Sequence, residues 1–109
     1  MIIHVIGSES SAQKLMVKIG ESIRFTAPSN PTTGYQWQLL QPLQLFKVSE
    51  TYQPQKVVPH VVGAGGQICF EFIAQHVGSE QIQLVYIRPW EKYAQAVESW
   101  QCHVQVEAP

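Results

Sequence analysis

Trp100-Gln101-Cys102-His103-Val104-Gln105-Val106 alternates apolar and polar residues at every step. Successive side chains on a strand point to opposite faces, so this stretch reads as a strand with Trp100, Cys102, Val104 and Val106 toward a core and His103 toward water. The same period recurs upstream, with Ile68, Phe70 and Phe72 in phase, Tyr35, Trp37 and Leu39 in phase, and Leu15, Val17 and Ile19 in phase. Candidate strands are residues 2–6, 15–19, 23–27, 35–40, 45–52, 56–62, 68–74, 82–87 and 97–106, broken by Gly, Pro or Asn. Val, Ile and Thr together supply twenty-five residues, the types that favour a pleated surface. Short strands at this spacing without crossover helices predict an all-β chain folded as an immunoglobulin-like, two-sheet antiparallel sandwich.

At 109 residues and 45% apolar composition, one core fits and a second does not, so residues 1–109 are expected to form a single domain. Only 14% of residues are charged, the net charge is -1, and fourteen glutamines stand against no aspartate, so neutral amides must cover much of the surface. Two Arg and five Lys without a basic stripe argue against nucleic acid as a partner. No apolar run reaches the roughly eighteen residues that span a bilayer, which argues against a membrane partner. The opening Met1-Ile2-Ile3-His4-Val5-Ile6 lacks a cationic start and a long apolar stretch. The chain as given is therefore expected to be cytoplasmic, or exported if its N-terminus is that of a processed precursor, and to be a monomer.

Within a lettered sandwich, residues 2–19 form the A region, 23–27 strand B, 35–40 C, 56–62 D, 68–74 E, 82–87 F and 97–106 G, with 45–52 in a long C to D connection. Trp37 then takes the core tryptophan position of strand C. Cys69 and Cys102 fall on E and G rather than on B and F, and alternation puts Cys69 opposite Phe70 and Phe72 while Cys102 joins the core, so no disulfide is expected. Trp90, Tyr93, Ala94 and Val97 recur at helical spacing behind Pro89, which predicts a turn or two of helix before G.

The titratable inventory argues against an enzyme and against a metal or other cofactor. The eight glutamates are scattered, His4, His60, His76 and His103 share no motif, and neither CxxC nor helical HxxxH spacing occurs. Cys102 and His103 are strand neighbours on opposite faces and do not meet as nucleophile and base.

Strands that run alternately up and down send the B to C, D to E and F to G loops to one end of the sandwich. Those loops are Asn30-Pro31-Thr32-Thr33-Gly34-Tyr35, Gly63-Ala64-Gly65-Gly66 and the segment opening Arg88-Pro89-Trp90. Asn-Pro and Gly are also ordinary turn chemistry. Three glycines in four residues strip side chains from a turn and admit a foreign backbone, whereas Trp and Arg at a loop tip are typical interface anchors.

In this order the three segments resemble the motifs of the chagasin family, protein inhibitors of papain-like (clan CA) cysteine proteases. The family pattern of Asn-Pro-Thr-Thr-Gly and an aromatic, then Gly-x-Gly-Gly, then Arg-Pro-Trp, is matched at every position. The resemblance implies tight, reversible, competitive inhibition of enzymes such as papain or a cathepsin L-like protease, with no catalytic residue and no cofactor. It implies that Thr32 and Thr33 sit near the enzyme's catalytic pair, with Pro31 and Gly34 shaping the loop that Asn30 opens and Tyr35 closes. Gly63, Ala64, Gly65 and Gly66 would line the substrate-recognition wall, and Trp90 would pack on an aromatic surface of the primed side. Arg88, ahead of Pro89, would either reach an enzyme carboxylate or brace its own loop. The alternative is a generic immunoglobulin-like adhesion or carbohydrate-binding module whose Trp90, Tyr93 and Trp100 stack on sugars.

Overall fold

The computed structural model describes residues 3–7, 13–29, 33–54, 66–90 and 96–109. The strands are β1 (Ile3–Gly7), β2 (Gln13–Lys18), β3 (Ser22–Ser29), β4 (Gln36–Leu39), β5 (Phe46–Pro54), β6 (Gly66–Ala74), β7 (Gly78–Ile87) and β8 (Glu98–Glu107). They form two four-stranded sheets, ordered β1-β3-β6-β5 and β2-β8-β7-β4. The sandwich is the expected all-β, immunoglobulin-like one.

Chain direction alternates at every strand from β1 to β8. One consequence departs from a purely antiparallel sandwich: β1 runs parallel to β3 and β2 parallel to β8, while the remaining pairings are antiparallel. β2 crosses to the other sheet between β1 and β3, so the two strands that meet in one sheet point the same way.

The larger correction concerns strand D. The antiparallel partner of β6 is β5, from Phe46 opposite Ala74 to Pro54 opposite Gly66. Strand D is therefore residues 46–54, not 56–62; the latter stretch lies outside the described residues. Sequence pattern favoured the valine-rich stretch because β5 carries a weak inner face, where Phe46 is buried but Glu50 and Tyr52, in the same phase, are exposed. β5 is an edge strand, and an inward-facing charge at an edge discourages pairing with another chain.

Phe25 is the hub of the core. Its ring lies 4.7 Å from Trp100, 5.3 Å from Trp37 edge-on and 6.3 Å from Phe70, so one β3 residue touches both sheets. Trp100, Cys102, Val104 and Val106 are all buried, as their alternation predicts. Both thiols are free: Cys102 is enclosed in the core, where burial pushes it up to about 11, and half-buried Cys69 lies on the outer face of the other sheet, also raised mainly by burial.

The end of the sandwich that carries residues 19–21 and 75–77 is closed by short links. Gly20 N–H donates to Ala74 O at 2.9 Å, Ala74 N–H to Glu21 O at 3.0 Å and Ile19 N–H to Glu107 O at 3.0 Å. Glu80 accepts from the Gln44 and Leu45 backbone N–H groups, which folds the 40–45 link against β7. Edge strand β1 is tied to this end by His4, whose Nε2 lies 3.1 Å from Glu21 Oε1.

Replacing Trp100 by Ala removes the largest fully buried side chain and should destabilise the fold by about 3–5 kcal/mol, read by urea denaturation. Glu21 gives a pH prediction. The hydrogen bond with His4, then that from Lys18 N–H, holds its carboxyl below its ordinary 4.5. A depressed carboxylate stabilises the fold above its unfolded pKa and loses that contribution as pH falls through the folded value. Unfolding scans from pH 6 down to about 3 should show part of the acid loss disappearing in Glu21→Gln.

Candidate functional site

Register fixes which connections meet. Ser29 at the end of β3 stands opposite Gly66, Gly66 stands opposite Pro54, and Ile87 at the end of β7 stands opposite Gln36. The stubs of the 30–35, 55–65 and 88–97 connections therefore leave from one end, opposite the short hydrogen-bonded links. Among the sequence-predicted site residues, Thr33, Gly34, Tyr35, Gly66, Arg88, Pro89 and Trp90 are described, while Asn30, Pro31, Thr32, Gly63, Ala64 and Gly65 lie outside the described residues. Tyr93 and Ala94 of the expected helical turn also lie outside them. Val97, its last member, is exposed and donates its N–H to Tyr86 O at 3.0 Å, just ahead of β8.

The first and third segments touch. Thr33 Oγ1 accepts from the Tyr35 N–H at 3.4 Å, closing a tight turn around Gly34, whose φ of +82° favours glycine. A Cβ built on Gly34 would stand 3.1 Å from Trp90 Cη2, so the indole tip lies directly over the bare backbone of the other loop. Trp90 is nevertheless 74% exposed, a large apolar surface turned outward at a loop tip.

Below this contact a column of side chains runs into the core. Trp37 donates from Nε1 to Pro28 O at 3.3 Å and stacks on Tyr86, ring centroids 5.2 Å apart. Tyr86 in turn meets the ring of Tyr35 at 5.4 Å, and the Arg88 guanidinium carbon stands 4.6 Å from the centroid of that same ring. Arg88 is expected from sequence to reach an enzyme carboxylate or to brace its own loop; the contact made here is instead with the first loop. Tyr86 belongs to none of the three motifs. Its spacing two residues before Arg88 hinted at a shared face, but its pairing with Trp37 needed the β4 to β7 register.

Chemically the described part of the site offers a hydroxyl, a phenol, a guanidinium and an indole, without an acid–base pair. No group of three His, Cys, Asp or Glu suited to a metal occurs among the described residues. His103 instead lies 2.7 Å from Ser79 Oγ on the outer face of its sheet, while Cys102 points into the core. Trp100, invoked in the sugar-platform reading, is 1% exposed, so it has no face to offer a ligand. What remains is an outward apolar tip on a braced pair of loops, suited to binding.

Gly34→Ala should keep the sandwich but cost about 1–2 kcal/mol, because alanine resists positive φ, and should push the indole aside. Thermal unfolding together with the Trp90 indole resonance measures both effects.

The chain matches the family model described as "Chagasin family peptidase inhibitor I42" over residues 16–104. It is 30% identical over 93 residues to chagasin of Trypanosoma cruzi, covering 80% of this chain and 83% of the relative. The crystal structure of the cysteine protease inhibitor EhICP2 from Entamoeba histolytica superposes with a TM-score of 0.86 at 25% identity, covering 97% of this chain and 96% of that one. A structure of PbICP-C in complex with falcipain-2 shares the fold at a TM-score of 0.55 and 15% identity, over 97% and 99% of the two chains. The likeness to chagasin spans most of both chains, and the family model takes in described residues of the first and third loops together with Gly66 and the core strands beneath, so the protein belongs to the chagasin family of peptidase inhibitors.

Proposed function

We propose that the chain is a tight-binding, reversible, competitive inhibitor of papain-like (clan CA) cysteine proteases, filling the active-site cleft with the three loops at one end of the sandwich. The observation that carries this reading is the contact of Trp90 with Gly34, which joins two of the motif loops into one outward-facing edge. Family membership supports inhibition. The cysteine-protease inhibitor EhICP2 and the falcipain-2 complex of PbICP-C, a chain of the same fold, support the enzyme class.

Mechanism follows from shape rather than reaction. Thr32 and Thr33 approach the enzyme's catalytic Cys and His, and Gly34 lets that loop stay thin. Pro31 fixes its own φ and biases Asn30 to extended backbone, so less freedom is lost on docking. Gly63 to Gly66 presents backbone groups able to pair with enzyme backbone along the substrate wall. Trp90 supplies the aromatic anchor on the primed side. An interface of about 1,600 Å² with such an anchor is compatible with nanomolar affinity.

Titration of papain and a cathepsin L-like enzyme should give stoichiometric, competitive loss of activity with the inhibitor chain uncut on a gel. Trp90→Ala should weaken inhibition by about 2–4 kcal/mol, roughly 30- to 1,000-fold, with the far-ultraviolet spectrum unchanged. A folded wild-type chain that inhibits no papain-like enzyme would overturn the proposal.

A further inference from the structure

Tyr86 and Arg88 are two residues apart on β7 and its continuation, so strand geometry turns both side chains to the same side. The ring of Tyr35 lies across that side, 5.4 Å from the Tyr86 ring and 4.6 Å from the Arg88 guanidinium carbon. Tyr86 is itself held by its stack on buried Trp37, so the ring of Tyr35 is anchored indirectly to the core. Tyr35 immediately follows Gly34, over which Trp90 lies, and Arg88 is two residues before Trp90. The two loops thus touch at two adjacent levels, the aromatic–guanidinium contact and the indole tip.

From this arrangement we infer that Tyr35 acts as a latch rather than as an enzyme contact, and that Tyr86 and Arg88 are positioning residues holding the first and third loops as one preassembled unit. The inference rests on the inhibitor reading for its consequence but not for its geometry. A cation over a ring face within about 6 Å contributes attraction without a counter-charge, so Arg88 needs no enzyme carboxylate to account for its position. When the latch is open, only the fraction of molecules with both loops in place is competent, and apparent affinity falls by that fraction. That loss appears chiefly in association, because the competent molecules make the same contacts as before.

A double-mutant cycle tests this on the intact chain. Tyr35→Leu and Arg88→Met should each weaken inhibition of papain about three- to thirtyfold, and the double variant should be no weaker than the worse single one. Tyr35→Phe keeps the ring and should retain wild-type inhibition; Tyr86→Leu should behave like Tyr35→Leu. Losses should be equal at low and high salt, since no ion pair with the enzyme is broken. In the free chain, the Trp90 indole resonance should shift in both Tyr35→Leu and Arg88→Met. Multiplied losses in the double variant, a salt-dependent loss for Arg88→Met, or an unmoved indole resonance would overturn the latch. If wild-type protein inhibits no papain-like enzyme, the functional reading fails, and the free-chain resonance still decides the latch.

Discussion

The indole of Trp37 is the point on which both the sandwich and its loop-bearing edge depend. It packs edge-on against Phe25 of the opposite sheet, donates to Pro28 O near the end of β3, and stacks on Tyr86 of the neighbouring strand. One side chain thereby ties together the strands that lead into the first and third loops. A buried Trp whose N–H has a partner contributes a large apolar contact without an unpaired donor, so the tie is both strong and oriented. Loop geometry follows from it, since Tyr35 stands on Tyr86, Arg88 stands on Tyr35 and Trp90 stands on Gly34.

The rest of the surface is built to be chemically quiet. Neutral amides pair with one another on it, as where Gln81 Nε2–H donates to Gln101 Oε1 at 3.0 Å. Arg24 and Glu71 meet at 2.8 Å across neighbouring strands, but both are partly exposed and such pairs contribute modestly. The chain has little net charge to steer association, and the described part of the site holds no acid–base pair.

Much of this was legible from residue order. Alternation over 100–106 identified β8 and its buried face because the strand is interior to its sheet and fully covered on one side. The same reasoning misjudged strand D. Residues 56–62 are richer in β-branched types, whereas Phe46–Pro54 is an edge strand whose inner positions run from buried Phe46 and partly buried Val48 to exposed Glu50 and Tyr52. Trp100 could be read as a core residue or a sugar platform until burial removed the second option. The loop motifs could be listed, but their joining could not, because the Trp37 to Tyr86 pairing and the ring of Tyr35 lying beside it depend on register between strands far apart in sequence.

In the proposed function, the end bearing the three loops is the surface that meets a papain-like protease. Amide hydrogen exchange of the chain, free and saturated with papain, distinguishes this end from every other surface. New protection is expected at residues 33–35, around Gly66 and at 88–90, with residues 19–21 and 75–77 at the opposite end unchanged. Protection confined to that opposite end or to a sheet face, with the loop end exchanging as in the free chain, would contradict it.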